Sequence, residues 1–271
     1  MQRSTYLFPS ILLLAGSLSA QTFTTGPCNG DEGNTNKNSW FGGRMKVCEV
    51  RRTTLPLVNG KVDVKGTNGG IEVIGEDRSD IALEARVTAQ ASGRDEAEAL
   101  LRKVTIGTNG RIEAKGPTFS GFSHETWSVN YRLRVPRHVS ARLETQNGGI
   151  DLSNLEGKIN AQTTNGGLSL TRLAGDVNAS TVNGGLDVTL DGRQWRGAGL
   201  VARSTNGGVS VKAPDHYSAH LIAETVNGGI SVGFPIPVQG EIRKHLDTNL
   251  GNGGPTVEFE TVNGGVSVDR D

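Results

Sequence analysis

Thr163-Thr164-Asn165-Gly166-Gly167-Leu168-Ser169-Leu170 is one of seven copies of a single pattern, and that pattern decides the fold. With Asn68, Asn147, Asn165, Asn183, Asn206, Asn227 and Asn263 as origins, the third residue onward is Ile71, Ile150, Leu168, Leu186, Val209, Ile230 and Val266. The fifth is Val73, Leu152, Leu170, Val188, Val211, Val232 and Val268. Before the Asn, small or aliphatic residues stand six and four back, as in Ile159 and Ala161 or Val257 and Phe259. Two back stands a hydroxyl residue: Thr145, Thr163, Thr181, Ser204, Thr225 and Thr261. Alternation of apolar and polar residues with period two on both sides of a Gly-rich corner marks half-buried strands, and its recurrence marks a β-repeat protein.

Successive origins from Asn147 lie 18, 18, 23, 21 and 36 residues apart, the last being twice the first. Second turns at Leu155-Glu156-Gly157 and Leu173-Ala174-Gly175 divide each unit into two strands and two corners. A unit so short cannot bury its apolar face alone. Stacking neighbours about 4.8 Å apart makes one column of Ile150, Leu168 and Leu186, which is the logic of a β-solenoid. Asn tolerates a left-handed backbone and Gly meets no steric penalty there, so each corner can be tight. The hydroxyl two residues earlier can satisfy backbone groups that the turn leaves unpaired. A hairpin meander or sandwich also satisfies the pattern, since Asn-Gly is a favoured hairpin turn that would pair Thr163 with Leu168. The expected class is all-β, a β-solenoid-like stack of short two-strand coils with one inserted short helix and an N-terminal cap.

Composition agrees. Of 271 residues only 5% are aromatic while 38 are Gly, which suits a thin core of Val, Ile, Leu and Ala. Basic and acidic side chains balance at 28 each, without a run of one sign, so nothing suggests a nucleic-acid footprint or a polybasic membrane patch.

Residues 1–20 read as an export signal: one charge at Arg3, an apolar stretch from Leu7 to Leu14, and small residues Ser17, Ser19 and Ala20 for cleavage. That stretch is too short and too interrupted by Pro9 and Ser10 for a good membrane span. The chain's two cysteines, Cys28 and Cys48, are expected to form one disulfide in an exported protein. They would close an N-terminal cap over residues 21–55, with Trp40 and Phe41 as anchors, ahead of the repeat domain at 56–271. Ala97, Leu100, Leu101 and Val104 are spaced for one short helix, with acids early and bases late. A degenerate repeat follows at Asn109, and residues 117–131 are an aromatic-rich insertion containing Phe119, Phe122, Trp127 and Tyr131.

Thr-Val-Asn-Gly-Gly at 181–185, 225–229 and 261–265, Gly-Phe-Pro-Ile-Pro-Val-Gln-Gly at 233–240 and Gly-Asn-Gly-Gly-Pro at 251–255 resemble the bacterial putative-adhesin family, a domain of unknown function with repeated Asn-Gly corners. The resemblance spans residues 56–269. It implies an exported β-solenoid-like domain with an adhesive role, and carries over no catalytic residues.

Chemistry is sparse. The outward column after the corners carries Glu72, Asp151 and Asp187, and Asp151 and Asp187 two coils apart would stand about 9.6 Å from each other, near the inverting-glycosidase range. Exposed acids on a solvated face explain them as well. His216 and His220 would share a strand face, without acids of matching parity to complete a metal site. His124-Glu125 lacks a second His, and Asn29, Asp31, Glu32 and Asn34 could hold calcium although their spacing fits no EF-hand loop. Gly251–Gly254 lacks a following Lys-Ser or Lys-Thr and reads as a tight turn rather than a phosphate cradle. The sequence therefore indicates an exported, non-enzymatic binding or structural module at the cell envelope, without cofactor or metal. Its partner would be an envelope or extracellular glycan or protein, or a second copy of itself, and Trp127 and Tyr131 are the candidate ligand contacts. A carbohydrate-active enzyme on the same scaffold and a self-assembling envelope scaffold are the alternatives.

Overall fold

Each repeat folds as one rung of two strands joined at the Asn-Gly-Gly corner, as in Glu156–Asn165 followed by Leu168–Thr171. This is a computed structural model, and it describes residues 22–28, 33–34, 44–119, 124–234 and 244–271. Seven rungs stack in parallel, so the strands before the corners form one sheet and the strands after them another. Register is strict across the stack: Ile71, Ile150, Leu168, Leu186, Val209, Val266 and Ile230 follow one another along the second of these sheets. In the facing sheet, Ile159 and Ala161 align with Val177 and Ala179, and then with Leu200 and Ala202. Period two points these columns between the sheets, where they form one continuous core. The architecture is all-β and solenoid-like with a short helix, and the hairpin alternative fails on the parallel pairing at every rung.

The order of rungs in space differs from their order in sequence. Thr256–Asn263 pairs with Gly199–Asn206 on one side and with Ala219–Asn227 on the other, so the last rung of the chain is inserted before the one preceding it. Among the described residues, the 36-residue interval holds no further rung. Within it His245–Leu250 turns back antiparallel against Ala219–Asn227 and closes that edge of the sheet. The Gly251–Gly254 stretch is the tight turn between, with Gly251 and Gly253 at φ 53° and 74°.

At the other end the post-corner sheet continues through long strands that are not rungs. Thr126–Pro136 runs parallel to Ile71–Glu76, and Asp80–Ala91, Met45–Pro56 and Thr24–Pro27 add antiparallel. Residues 45–55, expected as part of the N-terminal cap, thus lie in a twelve-residue sheet strand, Met45–Pro56. Asn109-Gly110, read as a degenerate corner, turns a hairpin between Thr105–Gly107 and Ile112–Lys115. The helix spans Arg94–Lys103 and buries Ala97, Leu100 and Leu101. Its last carbonyls, which lack intrahelical partners, are met by Arg51, whose guanidinium donates to Leu101 O at 3.0 Å and to Val104 O.

Cys28 and Cys48 are disulfide-bonded with Cα atoms 5.8 Å apart, beside Val50. The bond pins Thr24–Pro27 to the sheet. Replacing both cysteines with serine is expected to cost up to about 3 kcal/mol for a loop of this length, felt by the N-terminal strand that the bond ties down and by the loop it closes rather than by the rungs. Hydrogen exchange checks this: amides of residues 24–26 should exchange faster while those of the rungs stay as protected as before. Residues 1–20, Trp40, Phe41 and Phe122 lie outside the described residues.

Candidate functional site

The corners are held by three ladders. The first is amide to amide. Asn147 Nδ2 donates to Asn68 Oδ1 at 2.9 Å, Asn165 to Asn147 at 2.8 Å, Asn183 to Asn165 at 2.9 Å and Asn206 to Asn183 at 2.9 Å. Asn263 continues it to Asn206 at 2.7 Å and Asn227 to Asn263 at 2.9 Å, following the spatial rather than the sequence order. The corner Asn residues do not take a positive φ; among the described residues the left-handed non-glycine ones are Asn59, Asn154 and Arg172. The expected reason for Asn at the corner is thereby corrected. An in-register stack needs a side chain that is donor and acceptor at once, and the primary amide supplies both.

The second ladder is the hydroxyl column. Thr163 Oγ1 donates to Gly148 O, Thr181 to Gly166 O, Ser204 to Gly184 O, Thr261 to Gly207 O and Thr225 to Gly264 O, all at 2.7 to 2.9 Å. Each caps the corner of the neighbouring rung. The third is backbone: Gly148 N to Asn165 O at 2.9 Å and Gly166 N to Asn183 O at 3.0 Å carry the sheet pairing through the turn. Rungs approach so closely there that a Cβ at Gly166 would stand 2.1 Å from Gly148 O.

Outward of these ladders, on the pre-corner sheet, lies a long shallow groove. Two adjoining hollows of 440 and 570 Å³ share Thr163, Ser180 and Val182. Together they run from Lys65 and Thr67 to Lys244 and His245, across all seven rungs, or about 29 Å at the usual strand spacing. The middle is uncharged, with Gln162, Thr164 and Ser180 facing out. Val182, Val262 and Val226 are 43%, 40% and 62% exposed on the same side, an apolar rim beside the hydroxyls. The far end is charged. Arg203 bridges Glu258 and Glu260, each at 2.5 Å, and His245 Nδ1 lies 2.8 Å from Glu224 Oε1. Arg203 holds the Glu260 carboxyl below the usual range, while the hydrogen bond to Glu260, then burial, holds Glu258 above it. Sequence reading missed this group because Arg203 and Glu260 are 57 residues apart and meet only through the inserted rung.

The residues singled out from sequence are distributed otherwise. Tyr131 is 2% exposed, between Ile71 and Ala85, so its ring is core and offers a ligand no face; this corrects its expected role. Burial raises its hydroxyl above the ordinary tyrosine range. Trp127 is half-buried in the strand Thr126–Pro136, its indole N–H donating to Pro117 O at 2.9 Å. Residues 126–131 of the aromatic insertion are therefore part of a sheet strand. Trp127→Ala is expected to cost about 2 kcal/mol by loosening residues 116–119, read by urea denaturation. His216 sits in a turn rather than on a strand, whereas His220 Nε2 lies 2.7 Å from Asp247 Oδ1. Asp151 and Asp187 flank Ser169 in register, and burial, then Glu72, raises the Asp151 carboxyl above its usual range.

The family model described as Toastrack DUF4097 matches residues 131–269. Among solved structures, the chain is similar to a putative cell adhesion protein from Clostridium sporogenes ATCC 15579, at 12% identity over 82% of this chain and 99% of that chain, TM-score 0.43. It is similar to a putative adhesin from Bacteroides fragilis NCTC 9343, at 12% identity over 82% and 97%, TM-score 0.35. A putative lipid binding protein from Parabacteroides distasonis ATCC 8503 aligns at 11% identity over 83% and 96%, TM-score 0.30. No curated protein matches the chain.

Proposed function

Since the chain belongs to the Toastrack DUF4097 family, we propose that it is an exported, non-enzymatic binding module of the cell envelope that takes an extended glycan or protein ligand along the pre-corner groove. The continuity of that groove over seven rungs carries the reading. Rigid rungs repeating at one spacing present the same groups again and again, which suits a polymer better than a small molecule. The uncharged centre offers amides and hydroxyls, and the valine rim adds apolar contact, so a neutral ligand meets no desolvated charge there. Export is supported by the Cys28–Cys48 disulfide, since such bonds persist in oxidising compartments, and by the character of residues 1–20. Among the described residues no helix is long and apolar enough to cross a membrane.

The test is a glycan and envelope-protein array probed with wild type, Gln162→Ala, Ser180→Trp and Ser169→Val. Ser180→Trp fills the groove, and with Gln162→Ala it is expected to weaken binding about tenfold, or roughly 1.4 kcal/mol. Ser169→Val, on the other sheet, should leave binding unchanged. Equal binding by all four proteins removes the groove as the site, and release of reducing sugar from a bound glycan replaces the binding module with a hydrolase. Self-assembly is the second reading, favoured by one observation: Ile230–Val232 ends its sheet without an outer neighbour among the described residues. Sedimentation showing only monomer at all concentrations dismisses it.

A further inference from the structure

The outer face of the post-corner sheet carries a second hollow, independent of the groove and about 540 Å³ in volume. It lies over Ala82. Pairing across three strands aligns Thr54, Ala82 and Arg134 in one row and Arg52, Glu84 and Arg132 in the next, all facing outward by the period of the strand. An exposed strand position between long neighbours is normally filled by a long side chain; here the methyl of Ala82 leaves a pit walled by guanidiniums. Three arginines and a single acid line it, although the whole chain balances 28 bases against 28 acids.

The acids near the pit engage the arginines edge-on. Arg52 Nε donates to Glu84 at 2.7 Å, and Arg132 gives Nε and Nη2 to Glu72, on the strand beyond, at 2.7 and 3.1 Å. Arg134 is bound more loosely: its Nε lies 3.5 Å from a Glu76 carboxylate that Arg78 also approaches at 3.4 Å. Terminal N–H groups on Arg52, Arg132 and Arg134 therefore remain for another acceptor, and the Thr54 hydroxyl stands beside them. A fork of planar donors around a small pit matches a tetrahedral oxyanion.

We propose that the pit over Ala82 binds a phosphate-type oxyanion, held by Arg52, Arg132 and Arg134. The group can arrive as soluble phosphate or as the headgroup of an anionic lipid, and the two sources are separable. Inorganic phosphate is titrated calorimetrically at low salt into wild type, Arg134→Gln and Ala82→Leu, the last filling the pit without changing charge. Vesicles of phosphatidylcholine with and without phosphatidylglycerol are co-sedimented with the same proteins, whose fold is checked by circular dichroism. Phosphate affinity is expected to fall at least tenfold in both variants, with chloride a poor competitor. Phosphatidylglycerol binding lost in both variants assigns a lipid source, and phosphate binding without vesicle binding assigns a soluble one. Absence of binding to either probe, equal competition by chloride, or a folded Ala82→Leu or Arg134→Gln variant that keeps wild-type affinity overturns the proposal.

Discussion

Gly166→Val is expected to destabilise the array by about 4 kcal/mol, at the severe end for a single substitution. The cause is distance, since Gly166 does not take a positive φ. An ideal Cβ would lie 2.1 Å from Gly148 O, 2.4 Å from its carbonyl carbon and 2.8 Å from Gly149 N. All three are backbone atoms of the adjoining rung, so no side chain can swing aside. The rung cannot retreat either, because Gly148 N and Gly166 N are tied to Asn165 O and Asn183 O, and Thr163 is tied to Gly148 O. Relief requires breaking corner ladders on both sides. Ser169→Val, on the outward side of the next strand, should stay within about 0.5 kcal/mol. Equilibrium urea denaturation of the two variants checks the pair, and coincident transitions would show that close rung contact at the corner is not what glycine provides.

Phe259→Ala is the second large effect, expected at about 3 to 5 kcal/mol. Phe259 is 0% exposed and stands in register between Ala202 and Ala223. Its ring fills a core layer whose neighbouring rungs supply only methyl groups, so truncation leaves a cavity that the fixed strand spacing cannot collapse. The place of the damage is as informative as its size. Because the Thr256–Asn263 rung is inserted, hydrogen exchange should rise in both 199–213 and 219–232. Fraying confined to residues 256–271 would contradict the insertion.

Much of the molecule was legible in the sequence because one rule repeats. Residues three and five past each Asn face the core in every rung, Thr or Ser two before it caps a neighbouring corner, and the 97–104 spacing gave the helix. The Cys28–Cys48 bond followed from having two thiols near each other in an exported-looking chain. The extended sheet at 45–56, 80–91 and 126–136 was less legible, because antiparallel partners there share no repeated motif and their pairing is known only once the strands meet. Tyr131 illustrates the loss: an aromatic in a stretch without the repeat looked like a surface anchor, yet it lies on a strand that packs against the first rung.

Local sequence by itself determined that two-strand units form about the Asn-Gly-Gly corners and which side chains they bury, since period-two alternation gives each strand one apolar face. The parallel pairing of unit on unit, against a hairpin, came from the tertiary structure. Local sequence could not determine which rung stacks on which, because all seven present the same Asn and Gly ladders to any neighbour and six of them, all but the Asn68 rung with Gly66, the same hydroxyl. Tertiary structure decided that. The closing strand His245–Leu250 covers one edge of Ala219–Asn227, and Phe259 fits between two alanines while Glu258 and Glu260 meet Arg203, so the last rung lies inside the stack. These contacts join residues far apart in the chain, and the groove's charged end exists only because of them.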